Sequence, residues 1–528
     1  MFPRRMTTLA AASALALIAA APLVAQERGG VMTYGRYADS LFLDPVLNDA
    51  NVDIWILSNM YDTLLLPSAD GKGVEPGLAT DWTVSEDGLT VTLTMRDGIM
   101  FSDGSPITTE DVIWSLDRAR NPDNGIWNFL LASVSGVTAP DDRTIEIALS
   151  QPDPAILPAL TVFNSAVMPK AAFEAAEGAT DAEKAESFAQ APVGSGAFVL
   201  ESWDRGSEMK LVRNEHYWAD GADGEKLPYL DGVTFEVIPD DATRILRLQS
   251  GELDGAELIP FARVAELEAD PNINMELFPS TRVQYVTLNV RPEIEGEENP
   301  LSDPKVREAM NYAASKEAII QTVTFGVGKP METFMSMATP LAKGDGPLYP
   351  YDLEKAKALM AESGHPEGFA TSILVLAGNQ DEIGIATALQ QMWGQIGIQL
   401  EIQQVDNASR TEQYRNGTFD MRVAAWTNDI ADPGQITSYF AYSPTIDALH
   451  SGWKNEEVDG LYVASQSEAD EAKRAEQYAR IQEVFNATGP TVPLYETPYP
   501  VALGKDVNGF VQIPLGNNIF RGAWLAKE

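Results

Sequence analysis

The 528-residue sequence contains no cysteine, only 3 histidines, and 37 Lys+Arg against 77 Asp+Glu. Without cysteine there are no disulfides, thiolate zinc sites, cluster ligands or cysteine nucleophiles. His216, His365 and His450 are scattered, and none stands beside another histidine or an Asp-x-Asp cluster, so no imidazole metal site and no metal cofactor is expected. The formal charge of −40 opposes nucleic acid and anionic membrane as partners, because both would repel the chain at long range. The hydrophobic share of 45% against 22% charged residues favours folded cores over disorder, and the length suits roughly two to four domains.

Catalytic signatures are missing as well. No HExxH, phosphate loop or GxSxG elbow occurs. Gly328-Lys329 lacks the upstream glycine and the following Ser/Thr of a phosphate loop, and Gly194-Ser195-Gly196 is one residue short of an elbow, so both read as turns. Met331, Met335 and Met337 have no cysteine or histidine near them and read as flexible core or pocket lining. With so many acids, paired carboxylates leave a secreted glycan or peptide hydrolase as the alternative to a non-catalytic reading.

Residues 1–25 combine Arg4 and Arg5, an apolar run over 9–23 built on alanine and leucine, and the small residue Ala25. That is the pattern of a secretory signal peptide cleaved after Ala25. No later segment is long and apolar enough to span a bilayer, and no cysteine near the cleavage point offers a lipid anchor. A freely diffusing periplasmic protein is expected.

After the Asp87-Gly88 turn, Leu89, Val91, Leu93 and Met95 alternate with threonines, which predicts a half-buried strand. Thr108 and Asp111 form a capping pair for a helix through Val112, Ile113 and Leu116. Asp303-Pro304 and Asp352 mark two further helix starts. Residues 371–429 read as β-α-β-α-β: an apolar run at 373–376, helical spacing of Ile385, Leu389, Met392, Trp393 and Ile396, alternation of Ile398, Leu400 and Ile402, a short helix at 409–415, then Phe419, Met421, Val423 and Ala425. Right-handed crossovers make the three strands parallel. Their following loops then share one edge, where open α/β sheets bind ligands: Gly378-Asn379-Gln380, Asp406-Asn407 and Trp426-Thr427-Asn428-Asp429. No long linker appears, so domain borders must be short crossings, best placed within 274–284 and 490–500.

Tyr34, Tyr37, Phe42, Trp127 and Trp426 stand in or beside predicted loops, where packing alone is a weaker explanation for an aromatic ring. Trp426 is the best placed, at the ligand edge of a buried strand. Asp429, three residues on, reads either as a solvated or capping acid or as a partner for a ligand ammonium; Asp432-Pro433 beside it looks like a helix start.

Several strings together resemble the bacterial extracellular solute-binding proteins of the peptide, dipeptide and nickel class (family 5), which feed ABC importers. They run from Ala79-Thr80-Asp81-Trp82 to Phe101-Ser102-Asp103-Gly104, then Pro192-Val193-Gly194-Ser195-Gly196, Arg213-Asn214-Glu215-His216-Tyr217-Trp218, Leu301-Ser302-Asp303-Pro304-Lys305-Val306-Arg307, and Tyr351-Asp352 into the Lys355-Ala356 helix. The resemblance implies an α/β, two-lobed periplasmic-binding-protein-like fold of class II, cluster C type. Lobe one would comprise 26–278, with an extra subdomain at about 60–190, and the return segment 497–528; lobe two would span 279–496. It implies a monomeric, non-enzymatic receptor that takes an oligopeptide, a dipeptide-like compound or a glycoside to an inner-membrane permease. In peptide-binding relatives an aspartate three residues after a tryptophan holds the ligand ammonium, a pattern that Trp426 and Asp429 match. Dipeptide-binding relatives also carry an arginine for the ligand carboxylate in the loop after the first of the three strands; here that loop is Gly378-Asn379-Gln380, without an arginine, which leaves Arg36, Arg282 or some other basic group as its replacement and makes a longer peptide, a glycoside or another polar solute competitive with a free dipeptide. The expected ligand set is Trp426, Asn428, Asp429, Tyr34, Arg36, Trp127 and Asn379.

Overall fold

β1 (Val31–Arg36) alternates in the way a covered strand should, with Met32, Tyr34 and Arg36 all inside. A computed structural model describes residues 26–526 apart from 49, 125 and 445–447, so the expected signal peptide lies outside the described residues. β1 runs parallel to Gly232–Val237 on one side and to Gly255–Ala256 on the other. Met32 and Tyr34 pack into a core with Phe235, Phe510 and Phe520.

Between β1 and its partners the chain builds a separate four-stranded antiparallel sheet in the order Ala79–Val84, Thr90–Met95, Thr144–Leu149, Val134–Thr138. Val91, Leu93 and Met95 are buried while the threonines between them face the other way, as the alternation predicts. α1 (Thr109–Arg120) opens on the expected capping box: the Asp111 N–H donates to Thr108 Oγ1 at 3.3 Å, and the Thr108 N–H donates to Asp111 Oδ2 at 2.9 Å. Its buried Val112 and Leu116 share a second core with Ile145 and Ile147 of the small sheet.

β2 (Ile273–Phe278) is an edge of the first sheet, and after residues 279–282 the chain enters a second sheet at β3 (Val283–Leu288). α2 (Pro304–Ala313) and α3 (Leu353–Glu362) start where proline and aspartate set them; Asp303 accepts from the Lys305 N–H at 2.8 Å and Asp352 from the Lys355 N–H at 2.9 Å. Then follow β4 (Phe369–Leu376), α4 (Gln380–Gly394), β5 (Ile398–Val405), α5 (Asn407–Asn416), β6 (Met421–Trp426), α6 (Pro433–Phe440) and β7 (Thr491–Glu496). β4 is parallel to β5 and to β6, so the β-α-β-α-β reading holds in element order and direction. α4 presses Ile385, Leu389 and Trp393 onto the sheet, and the Trp393 indole N–H donates to the Met310 carbonyl at 2.9 Å.

The second sheet is ordered Lys329–Pro330, β7, β3, β6, β4, β5. From β7 the chain returns through Thr497 and Pro498 to β8 (Tyr499–Gly504), which slots between β2 and Gly255–Ala256 to complete the seven-stranded first sheet. The two passages between sheets are tied to each other. Ser280 Oγ donates to the Thr497 carbonyl, and the Thr497 N–H donates to the Arg282 carbonyl at 3.4 Å. Two sheets, each with its own core and joined by two adjacent crossings, form two lobes.

Candidate functional site

The carboxyl ends of β4, β5 and β6 share one edge of the second sheet, and that edge faces the first lobe. Trp426 ends β6. Its indole stacks on Tyr439 of α6 with centroids 4.5 Å apart and planes 25° from parallel, and Nε1–H donates to Asn428 Oδ1 at 2.8 Å. Asn428 is buried and pinned toward the crossing: its N–H donates to Thr281 Oγ1 at 2.8 Å and its amide to Thr339 Oγ1 at 3.1 Å. This residue holds the tryptophan in place, so its role here is to position the loop.

Asp429 stands next in the loop. Its N–H donates to Gln435 Oε1 at 2.8 Å, and its Oδ2 accepts from Gln435 Nε2 at 2.7 Å. Burial pushes the Asp429 carboxyl up to about 6, with the Gln435 hydrogen bond pulling weakly the other way. Among the described residues it has no cationic partner. Asp432, by contrast, is consumed structurally: it caps α6 through the Gly434 N–H at 2.7 Å and pairs with Arg474 at 2.8 Å.

Ile430 reaches across to the first lobe. It is buried in a cluster with Ile54, Trp55, Val162 and Phe163, around which Tyr37 and Trp127 are half-buried. Trp127 lies on the short turn Ile126–Leu131, packs edge-on against Phe163 at 5.3 Å, and leaves its buried indole N–H without a partner. Tyr499, the first residue of β8, brings its hydroxyl beside the Trp55 indole across Gly516, where an added Cβ would lie 3.2 Å from each. Burial pushes the Tyr499 phenol up to about 12; the Arg282 charge opposes this and the Asp429 charge adds to it.

The structure thus gathers Trp426, Asn428, Asp429 and Trp127 at one junction between lobes, and joins to them Tyr37, Trp55, Gln435, Tyr439 and Tyr499. It places three other expected residues differently. Tyr34 has no exposed surface and its ring meets Phe235, Phe510 and Phe520, so it is a core side chain of the first lobe. Arg36 is buried beside Glu257 at 3.3 Å and donates to the Val52 carbonyl at 2.7 Å, which leaves no free guanidinium for a solute. Asn379 caps α4 by accepting from the Glu382 N–H at 3.1 Å. The alternation Met-x-Tyr-x-Arg in β1 was the available signal for the first two. For Gln435 and Tyr439 the signal was their position one turn apart on α6, immediately after the Asp-Pro start.

No group of three or more His, Asp and Glu among the described residues is arranged to hold a metal ion. No helix among them is long and apolar enough to cross a membrane.

Two lobes joined by two crossings, with polar and aromatic side chains meeting between them, define a two-lobed binding protein of the periplasmic type. The profile of "Bacterial extracellular solute-binding proteins, family 5 Middle" matches residues 73–447, and the chain belongs to that family. It is 28% identical over 515 residues to the glutathione-binding protein GsiB of Salmonella typhi, covering 96% of both chains. HbpA2 from Haemophilus parasuis superposes with a TM-score of 0.82 at 27% identity, over 94% of this chain and 100% of that one. The ABC transporter-associated periplasmic binding protein DppA from Helicobacter pylori, solved with the peptide STSA, gives 0.76 at 26% identity over 95% and 99%. The protein is therefore a solute-binding component that serves an ABC transporter, and the hydrolase alternative is set aside because the family is one of binding proteins.

Proposed function

We propose that this protein is a periplasmic monomer that captures a peptide-like solute between its lobes, with Asp429 receiving the ligand ammonium and Trp426 and Trp127 walling the cleft. The lobes divide near residues 278 and 496, and they hinge at 279–282 and 497–498. The observation that carries the reading is Asp429 itself: a largely buried carboxyl with one neutral partner and no cation, at the sheet edge between lobes. A charge-assisted hydrogen bond from an ammonium satisfies such a group better than water can in a closing cleft.

A second feature supports a peptide over a compact solute. The register of β6 with β4 ends at Leu374↔Arg422, while β6 continues beside β3 as far as Val283↔Trp426. β4 ends at Leu376, level with Ala424 in this register, so on that flank Ala425 and Trp426 run on alone, which suits the addition of an extended backbone. Binding favours closure only by the contacts that exist in the closed form and not in the open one. The transporter then reads closure, and no covalent bond is made or broken in this protein.

Calorimetric titration with trialanine and with N-acetyl-trialanine tests the reading. Acetylation is expected to cost more than tenfold, about 1.4 kcal/mol, and Asp429→Asn to cost the free peptide the same while leaving the acetylated one unchanged. Equal binding of both peptides, or no binding by any free peptide of two to five residues, overturns it.

A further inference from the structure

Alternation along β6 sends Met421 and Val423 into the core they share with Ile373 and Val375, and turns Arg422, Ala424 and Trp426 to the opposite face. Ala424 is small and buried, and Tyr285 of β3 stands opposite it in the strand register. A cation and an indole therefore flank a small residue on one wall, and side chains of α5 and α6 reach both.

The contacts on this wall form a chain. The Arg422 guanidinium carbon lies 3.9 Å from the centre of the Tyr414 ring, and its Nε is buried without a hydrogen-bond partner. Tyr414 is buried on α5, and its ring meets His450 edge-on with centroids 4.7 Å apart. Its hydroxyl lies 3.0 Å from the hydroxyl of Tyr439 on α6. Tyr439 in turn stacks on Trp426, which is half-buried and so keeps part of its surface open. Each phenol has one proton, so one hydroxyl donates and the other accepts. Burial, and to a smaller degree the Tyr439 phenol, raise Tyr414 above its usual range, while the Arg422 charge pulls it back and favours Tyr414 as the donor. The same face of α6 serves both cleft residues of the loop: Gln435 grips Asp429 at 2.7 Å, and Tyr439, one turn further on, backs Trp426.

We infer that Tyr439 is a positioning residue for the cleft: its ring and hydroxyl, held by Tyr414 over Arg422, set the plane of the indole that a solute meets. This rests on the reading above that Trp426 walls the cleft, and adds the side chains that orient it. Asn428 fixes the edge of the indole through Nε1 and Tyr439 fixes its face, so the ring has little freedom left to lose when a solute binds. An indole free to turn would lose that freedom in the complex and bind more weakly.

The experiment titrates trialanine into the wild-type chain, Tyr439→Phe, Tyr414→Phe, Arg422→Met and Arg422→Lys, and into the same variants made on Trp426→Leu. Tyr439→Phe keeps the stacked ring and deletes only the hydroxyl; it should weaken binding about fivefold, the weight of one neutral hydrogen bond. Tyr414→Phe should do the same, and the two together no more than either alone, as members of one pair must. Arg422→Met should also weaken binding, with Arg422→Lys recovering part of the loss. On Trp426→Leu, where no indole remains to be oriented, none of these changes should alter affinity. Acrylamide quenching of Trp426, taken as the difference between each chain and its Trp426→Leu counterpart, should rise when either hydroxyl is removed, with no ligand present. Unchanged affinity or unchanged quenching in Tyr439→Phe overturns the assignment. So does a loss of affinity that persists on Trp426→Leu, which would make the pair a structural brace of the lobe. Failure of every free peptide to bind the wild type retires the peptide reading, and quenching then decides this one alone. Should Tyr439→Phe not fold, judged by its thermal transition, Tyr414→Phe decides by the same comparisons.

Discussion

Asp429 carries its proton at a pH where an exposed aspartate has lost it. Burial sets its carboxyl near 6, and an incoming ammonium stabilises only the ionised form. The sign follows directly: below about pH 6 the empty protein is protonated at this site and must give up the proton to bind, whereas above it the carboxylate is ready. Affinity for trialanine should therefore fall from pH 7 to pH 5, approaching tenfold per unit at the acid end. At pH 6 titration calorimetry in two buffers of different ionisation enthalpy should report proton release on binding. Asp429→Asn should abolish both effects, and a flat pH profile in the wild type would remove Asp429 from the ammonium site. Beside it, Trp426→Ala removes a ring stacked on Tyr439, so it should weaken binding by about 1 kcal/mol beyond any lost apolar contact, with the thermal transition reporting the structural share of the loss.

Helix caps show how far local sequence reaches. Thr108, Asp303 and Asp352 were legible because a side-chain oxygen two or three residues ahead of an orphan N–H is a local arrangement, and all three make the expected bonds. Asp303→Ala should lower the stability of the second lobe by about 1 kcal/mol, read by chemical denaturation, without touching ligand affinity. The β4 to β6 unit was legible for the same reason, since its periods switch cleanly from two to 3.6 and back. Its edge supplied Trp426, Asn428 and Asp429 before any contact was known. Tyr34 was misplaced because being near a predicted loop was weighed above the alternation of β1, and Arg36 because its charge made it a replacement for the arginine missing from the 378–380 loop; that alternation turns both inward. Ile430 reaching Trp55 could not be read at all, because it depends on two segments far apart in the chain arriving at one place, and periodicity is blind to that.

At the scale of the molecule, Ile430 is the side chain through which the second lobe touches the apolar patch of Ile54, Trp55, Val162 and Phe163 on the first. It belongs to neither lobe's main core, so its burial stabilises the closed arrangement rather than either half. Ile430→Ala should leave the thermal transition nearly unchanged and weaken ligand binding by about 2 kcal/mol. Small-angle scattering of the unliganded variant should show a larger radius of gyration than wild type. An unchanged radius and affinity would mean that the patch does not govern closure.

The placement of β8 bears on how the molecule comes into being. A strand second from the margin of the first sheet is supplied only after the entire second lobe has been made. Until then β2 has no neighbour to join it to Gly255–Ala256, and the contacts that would close this gap are among the longest-range in the chain. The leading half of the molecule is thus left one strand short, and its sheet stays in two pieces until the final segment drops into the waiting slot.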